Sequence, residues 1–191
     1  GRGQPGRIHT KRMIPRTVSR IASPALRASR GATRRGFIIR TAQEVKDAGD
    51  VHVASTGTWE SRRYLKRKDG LGFSFHHTVL YAGSSTLIWY KNHVEAVIVT
   101  HGAGEIEVVE PGQKEGEGKV YKLDVGTCYA LNGQERHYLR AYKDADMHVI
   151  CAFNPPIAGS EDHNEEGVYP AVDDEGKQYH SYESHDLPKL I

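Results

Sequence analysis

Between Trp59 and Phe153 the chain is a series of short strand-like segments separated by turn residues, and this limits the fold more than any other feature. Nine candidate strands follow one another: Trp59–Leu65, Phe73–Tyr81, Thr86–Tyr90, Glu95–Thr100, Glu105–Glu110, Lys119–Leu123, Cys128–Leu131, His137–Tyr142 and Met147–Phe153. Lys-Asp-Gly at 68–70 and Asn-Gly at 132–133 are typical hairpin turns between such strands. The pattern predicts an all-β barrel or sandwich.

One short helix is predicted ahead of the strands. Thr41 and Glu44 have the spacing of a capping box, and the helix is expected to end near Gly49. A chain of 191 residues is long enough for one domain with a sizeable core and too short to expect two.

The charge is divided unevenly along the chain. Residues 1–43 contain eleven Lys and Arg and no acid, which leaves 15 basic against 24 acidic residues in the remainder. The predicted domain is therefore acidic, and the overall pI of about 8.5 reflects a basic leader. This distribution argues against nucleic-acid binding.

The basic leader, residues 1–36, is rich in Arg, Ser and Ala and has no sustained apolar period. Two interpretations stay open: an organellar transit peptide, or translated upstream sequence or residues added for expression. In either case we expect it to be disordered and to take no part in catalysis. A cytoplasmic location is expected, or the mitochondrial matrix if the leader is a transit peptide.

Two further features narrow the class of protein. No apolar run approaches the roughly 20 residues of a membrane helix, so no membrane partner is expected. Cys128 and Cys151 lack metal-site or disulfide spacing, and both are predicted to be buried free thiols, as in a reducing compartment.

The strongest indication of chemistry is the pair His93 and Glu95 at the start of a predicted strand. Side chains two positions apart on a strand lie on the same face, so an imidazole and a carboxylate point together. Such a pair suits a metal site inside a small barrel. Further ligand candidates, Tyr129 and His137, lie in the later stretch 126–137.

These motifs resemble those of the cupin superfamily in a degenerate form. Cupins combine a His-x-His motif with a later Pro-x-Gly-x-x-His motif. Here the first reads His93-x-Glu95, and the second ends at Tyr129 where a cupin has His. A general cupin comparison would therefore predict a weak metal site or none.

One cupin branch, the L-ectoine synthases, differs from the general pattern at these same places, and the chain resembles it from Phe37 to about Val172, roughly 70 % of its length. Six runs carry the resemblance, in order: Gly72-Phe-Ser-Phe-His, Ile88-Trp-Tyr-Lys-Asn-His-Val-Glu, Tyr129-Ala-Leu, His137-Tyr-Leu-Arg-Ala, Phe153-Asn-Pro-Pro and Glu166-Gly-Val-Tyr-Pro. The resemblance implies a cupin-type jelly-roll domain at residues 37–172, followed by a polar tail at 173–191.

The resemblance implies a cyclising hydro-lyase that closes N-γ-acetyl-L-2,4-diaminobutyrate to ectoine, a compatible solute, with loss of water. It implies iron(II) held by Glu95, Tyr129 and His137, with His93 as a further catalytic residue, and a homodimer. The implied substrate-binding residues are Trp59, Thr78, Tyr90, His93, Gly102, Leu131, Phe153, Glu161 and His163.

Simpler roles remain open for several of these residues. Tyr129 could be a core aromatic residue, and a lone histidine such as His137 is most often structural. His93 suits a ligand or a substrate contact. Glu161 and His163 follow Pro156 on a predicted loop, where they could be solvated or form a lid or an acid–base pair.

Two other functions compete with ring closure. An iron-dependent cupin dioxygenase would ordinarily use two or three His with one carboxylate, which Tyr129 does not match. A non-catalytic cupin would keep the pocket and lose the metal. Iron analysis and oxygen consumption would separate these alternatives.

Overall fold

The structure of the protein, a computed structural model, describes residues 1, 36–173 and 175–179. The predicted leader therefore lies outside the described residues except for Gly1 and Gly36. Most of the predicted tail, residues 174 and 180–191, also lies outside them. No helix within the described part of the chain is long and apolar enough to cross a membrane.

The described residues form one helix, α1 (Ala42–Asp47), one 3-10 turn (Arg67–Asp69) and twelve strands. The strands are β1 (Val51–Val53), β2 (Trp59–Leu65), β3 (Ser74–Leu80), β4 (Ser85–Ile88), β5 (Val94–His101), β6 (Gly104–Val108), β7 (Lys119–Leu123), β8 (Cys128–Leu131), β9 (His137–Ala141), β10 (Met147–Asn154), β11 (Ala171–Val172) and β12 (Gln178–Tyr179). The prediction of an all-β fold with one or two short helical segments is confirmed.

The capping box that predicted α1 is present. The Thr41 hydroxyl accepts from the backbone N–H of Glu44 at 3.2 Å, and the Glu44 carboxylate accepts from the backbone N–H of Thr41 at 2.7 Å. Two helical N–H groups without intrahelical partners are thus satisfied, which fixes where this short helix begins.

Two antiparallel sheets face each other. The larger has the order β1-β2-β3-β10-β5-β8, and the smaller has the order β4-β9-β6-β7. From β3 onward the chain crosses repeatedly between them, as in a jelly roll. Inward-facing residues alternate along the strands, and on β5 this places Glu95, Val97 and Val99 between the sheets.

The predicted strand boundaries agree with β2, β7 and β8 and differ by one or two residues for the others. Strands β1, β11 and β12 were not predicted, because each has only two or three residues and therefore no measurable alternation. In the predicted tail, β12 returns to pair with β11.

Cys151 is buried as predicted, but Cys128 is exposed, so that prediction was wrong. Cys128 lies on β8, an edge strand, in register with the outward-facing Ile98 of β5. Side chains alternate between the faces of a strand, so Cys128 faces outward while its neighbour Tyr129 faces the interior.

Candidate active site

A cavity lies between the two sheets. Seven of the residues predicted for the site line it: Trp59, Thr78, Tyr90, Glu95, Tyr129, Phe153 and His163. Five of them come from β2, β3, β5, β8 and β10 of the larger sheet, so the inward face of that sheet forms much of the wall.

Glu95 is a buried carboxylate with little compensation. Burial raises its pKa to about 8, and a hydrogen bond from the Cys151 thiol only partly offsets this. A charged carboxylate in such surroundings is costly unless a cation or strong donors approach it. Glu95 is therefore protonated near neutral pH unless a cation binds beside it.

Tyr129 faces Glu95 from the neighbouring strand β8. Its hydroxyl is buried and has no hydrogen-bond partner within the described residues. Burial, with the nearby charge of Glu95, raises the pKa of Tyr129 well above its ordinary value. A buried phenol normally finds a partner, so this free oxygen indicates that something else occupies the adjacent space.

His137 begins β9 in the smaller sheet and is fully buried. Its Nδ1–H donates to the backbone carbonyl of Glu135 at 3.0 Å, which leaves the lone pair on Nε2. Nε2 has no partner within the described residues. Burial lowers the pKa of His137 to about 4, so the ring is neutral, as a metal ligand must be.

His93 comes just before β5 and is buried beside Glu95. Its Nδ1–H donates to the carbonyl of Pro155 at 2.8 Å, and burial lowers its pKa. The side chain packs edge-on against Phe153, with ring centroids 6.2 Å apart. It thus shares the inward face with Glu95, as the two-residue spacing predicted.

Aromatic rings form a continuous part of the wall. The His163 ring stacks on Tyr169 with centroids 4.3 Å apart and lies edge-on to Trp59 at 5.3 Å. Its Nε2 is 3.2 Å from the Tyr90 hydroxyl, and Tyr90 meets Phe153 edge-on at 5.1 Å. The rings support one another and exclude water from this side of the cavity.

Comparison with known proteins identifies the family of this chain. The family model for ectoine synthase matches residues 37–173, more than two thirds of the chain. The chain belongs to the ectoine synthase family.

Several relatives in this family cover the same part of the chain. An L-ectoine synthase of Aliivibrio fischeri is 49% identical over 137 residues, 72% of this chain and 100% of its own. One from Desulfatibacillum aliphaticivorans is 50% identical over 119 residues, 62% of this chain and 85% of its own. The crystal structure of ectoine synthase from P. lautus is 48% identical with a TM-score of 0.59, covering 71% of this chain and 91% of that one. The cupin fold is thereby confirmed.

Neither His93 nor His137, both described above, lines the cavity itself. Three further residues that the ectoine synthase resemblance assigned to substrate do not line it either. Leu131 belongs to the hydrophobic core. Gly102 follows β5 with φ +69°, and a Cβ there would lie 2.3 Å from the carbonyl oxygen of Asp146. Gly102 thus serves a close backbone contact. Their roles toward substrate stay predictions.

Glu161 is the third, and it is fully buried rather than solvated. Its carboxylate accepts backbone N–H groups from Ala158, Gly159 and Ser160 at 2.6, 2.7 and 3.0 Å. These bonds hold the loop that carries His163 to the cavity. The structure gives Glu161 this positioning contact, while a role toward substrate stays a prediction.

Four polar or aromatic residues of the cavity were absent from the sequence-based set: Ser61, His76, Cys151 and Tyr169. Strand alternation could have found the first three, because each lies two positions from a predicted site residue on the same strand. Tyr169 follows an irregular segment, and no periodic signal could have placed it.

Proposed function

We propose that this chain catalyses the reaction of its family, closing N-γ-acetyl-L-2,4-diaminobutyrate to ectoine. The observation that carries the proposal is the 49% identity over the entire length of a relative called L-ectoine synthase. The cavity supports it, because seven residues that the resemblance assigned to the site line the same cavity.

The reaction is an intramolecular condensation. The neutral α-amine of the substrate attacks the acetamide carbon, a carbon–nitrogen bond forms, and the carbonyl oxygen leaves as water with two hydrogens from the amine nitrogen. A carbon–nitrogen double bond in a six-membered ring results. Because both reacting groups belong to one molecule, holding it in a curled conformation supplies much of the rate.

The aromatic wall is suited to that task. Trp59, Tyr90 and Phe153 present rigid faces that can hold the methylene chain of the substrate in a curled form. A cavity that excludes water also favours a reaction in which water is a product.

We propose that Glu95, Tyr129 and His137 hold iron(II). Three observations on the described residues support the fit: a buried carboxylate with a raised pKa, a phenol oxygen without a hydrogen-bond partner, and a neutral imidazole whose Nε2 lone pair is free. Among the described residues no three His, Cys, Asp or Glu side chains are grouped to hold a metal, but the proposed set includes a tyrosine. Bound iron(II) would supply a Lewis acid that polarises the amide carbonyl.

Side chains of this protein can carry out the proton transfers that the reaction requires. The attacking amine must lose protons and the departing oxygen must gain them. His163 lines the cavity, and His93 packs against Phe153 in its wall. Burial lowers the pKa of both histidines, so both rings are neutral. A neutral imidazole can accept a proton at one atom and return it, which is general acid–base catalysis.

We propose that the chain is a homodimer joined through the outer face of the larger sheet. Phe73, Phe75, Val94 and Ile98 are each at least 37% exposed there. Exposed apolar side chains clustered on one sheet face are typical of an interface. Light scattering should give twice the chain mass, and Ile98→Lys should give the monomer.

We also propose that the chain works in the cytoplasm, with the mitochondrial matrix as the alternative, and that it supplies a compatible solute under osmotic stress. Cell fractionation under high and low salt tests both points. A protein found only in a membrane fraction, or made at the same level at every salinity, would contradict them.

The test of the activity is incubation of N-γ-acetyl-L-2,4-diaminobutyrate with iron(II)-loaded protein under nitrogen, followed by mass spectrometry. We expect a product lighter than the substrate by one water. An oxygen requirement would point to the dioxygenase alternative, and tight iron binding without any product would point to a binding protein.

A further inference from the structure

Strand β3 carries two consecutive histidines that point in opposite directions. His76 is 2% exposed and lines the cavity. His77 lies on the outer face, where its Nε2 is 3.1 Å from Nδ1 of His148 on β10. No role could be predicted for either histidine from the sequence, and of the two only His76 can contact a molecule inside the cavity.

A chain of hydroxyl groups orients the His76 ring. The Thr78 hydroxyl donates to the Ser61 hydroxyl at 3.2 Å, and the Ser61 hydroxyl lies 3.5 Å from His76 Nδ1. The Ser61 hydroxyl can accept from Thr78 and donate to Nδ1 at the same time, and with this assignment the ring hydrogen lies on Nε2. Phe153 packs against the ring, with centroids 5.2 Å apart.

The Nε2 atom of His76 is buried and has no partner within the described residues. Burial, with the neighbouring charge of Arg63, lowers the pKa of His76 well below its ordinary value, so the ring is neutral. It therefore presents one N–H donor to the cavity and has nothing in the described chain to donate to. A buried donor without an acceptor is costly unless a bound molecule supplies one.

Arg63 makes this end of the cavity positive. It lies in register with His76 on β2, is 1% exposed, and donates from Nη2 to the Glu161 carbonyl at 2.7 Å. Its Nε and Nη1 atoms have no partner in the described part of the chain. Its charge also lowers the pKa of His163. Within the described residues the Arg63 guanidinium forms no ion pair with a carboxylate, so its positive charge can support a bound anion nearby.

We propose that His76 donates its Nε2–H to the carboxylate of the substrate, with the charge of Arg63 supporting that anion from behind. This inference rests on the proposed function, since it concerns the carboxylate that N-γ-acetyl-L-2,4-diaminobutyrate and ectoine share. It makes His76 a residue that selects amino-acid substrates.

The sheet geometry is compatible with one substrate spanning the cavity. Strand β10 lies between β3, which carries His76, and β5, which carries Glu95. Two strand spacings separate their backbones by about 10 Å, and both side chains reach inward. The carboxylate at His76 would leave the acetamide at the Glu95 end, where ring closure is proposed.

The experiment compares His76→Phe with His77→Phe, a matched control one position along the same strand on the outer face. Each protein is given the substrate and its analogue in which the carboxylate is a primary carboxamide. We expect wild type and His77→Phe to prefer the carboxylate about 10- to 100-fold in kcat/KM, the range of a charge-assisted hydrogen bond. His76→Phe should lose that preference, mainly through a raised KM.

A second variant separates the loss of the N–H donor from a folding defect. His76→Gln keeps an N–H donor and should retain part of the preference, and calorimetric titration with ectoine should follow the same order of affinity. If wild type makes no product, the proposed function fails and this inference fails with it. If wild type is active and His76→Phe and His76→Gln keep the full carboxylate preference, the inference alone is overturned.

Discussion

Two buried carboxylates of this protein have opposite surroundings. Glu107, on β6, accepts from Arg140 at 2.7 Å and from the backbone N–H groups of Gly116 and Gly118 at 2.8 and 2.7 Å. Among the described residues, Glu95 on β5 receives a hydrogen bond only from the Cys151 thiol. The first site is complete within the chain, and the second lacks a partner for its charge.

The pKa directions follow that difference. Burial alone would raise the pKa of Glu107, but Arg140 and the two glycine N–H groups lower it below its ordinary value. Burial raises the pKa of Glu95 to about 8. Buried polar groups that are fully paired stabilise a fold, whereas groups left unpaired mark the place where a ligand binds.

The largest effect is expected on activity at the unpaired carboxylate. Glu95→Gln should reduce kcat/KM for ring closure about 10³-fold or more, because the proposed iron site would lose its anionic carboxylate ligand. The melting temperature of the metal-free protein should not fall, since the wild-type carboxyl is already neutral at pH 7. A loss of turnover together with a lower melting temperature would indicate a structural role instead.

At Glu107, whose carboxylate is fully paired, a substitution of the partner should reduce stability and leave activity unchanged. Arg140→Ala should lower the free energy of unfolding by about 3 kcal/mol, because it leaves the Glu107 charge buried without its cation. Chemical denaturation measures this, and turnover at a temperature where both proteins are folded should be unchanged. Arg140→Lys should have a smaller effect. If Arg140→Ala and wild type were equally stable, the claim that pairing of the Glu107 carboxylate stabilises the fold would be wrong.

Glu161 is a predicted site residue, but its carboxylate is hydrogen-bonded within the chain, as that of Glu107 is. A substitution can show whether its main contribution is to stability. Glu161→Gln replaces one acceptor oxygen of a carboxylate that holds three loop N–H groups, and should cost about 2 kcal/mol of stability. Because the loop positions His163, KM should rise as well. A large loss of kcat at unchanged stability would instead favour direct contact with the substrate.

A further prediction is a pH dependence of stability that arises from His163. Burial lowers its pKa to about 3, while its value in the unfolded chain is near the ordinary 6.5. As the pH falls below 6.5 the unfolded chain takes up a proton that the folded chain does not, so stability is lost by up to about 1.4 kcal/mol per pH unit down to about pH 3. His163→Phe keeps the stacking on Tyr169 and should have a shallower slope in denaturation measured between pH 4 and 7. An unchanged slope would mean that His163 is not buried neutral.

Alternation along strands allowed the sequence to predict much of this site. Glu95 and Tyr129 face inward because each lies at the correct parity on a strand whose bounds were predicted within two residues. His76 shows the limit of such reasoning, because alternation separates it from His77 only once the position of β3 is fixed. The roles of Glu161 and Tyr169 depend on an irregular segment, where side-chain direction is set by contacts distant in sequence.

Anaerobic titration of the protein with iron(II) tests the central claim most directly, because it reports on the unpaired groups without requiring turnover. We predict about one iron bound per chain in wild type, with a raised melting temperature. Tyr129→Phe and His137→Asn should each weaken binding at least about tenfold, while Arg140→Ala should bind as wild type does. Undiminished binding in both Tyr129→Phe and His137→Asn, or no binding by wild type, would contradict the account.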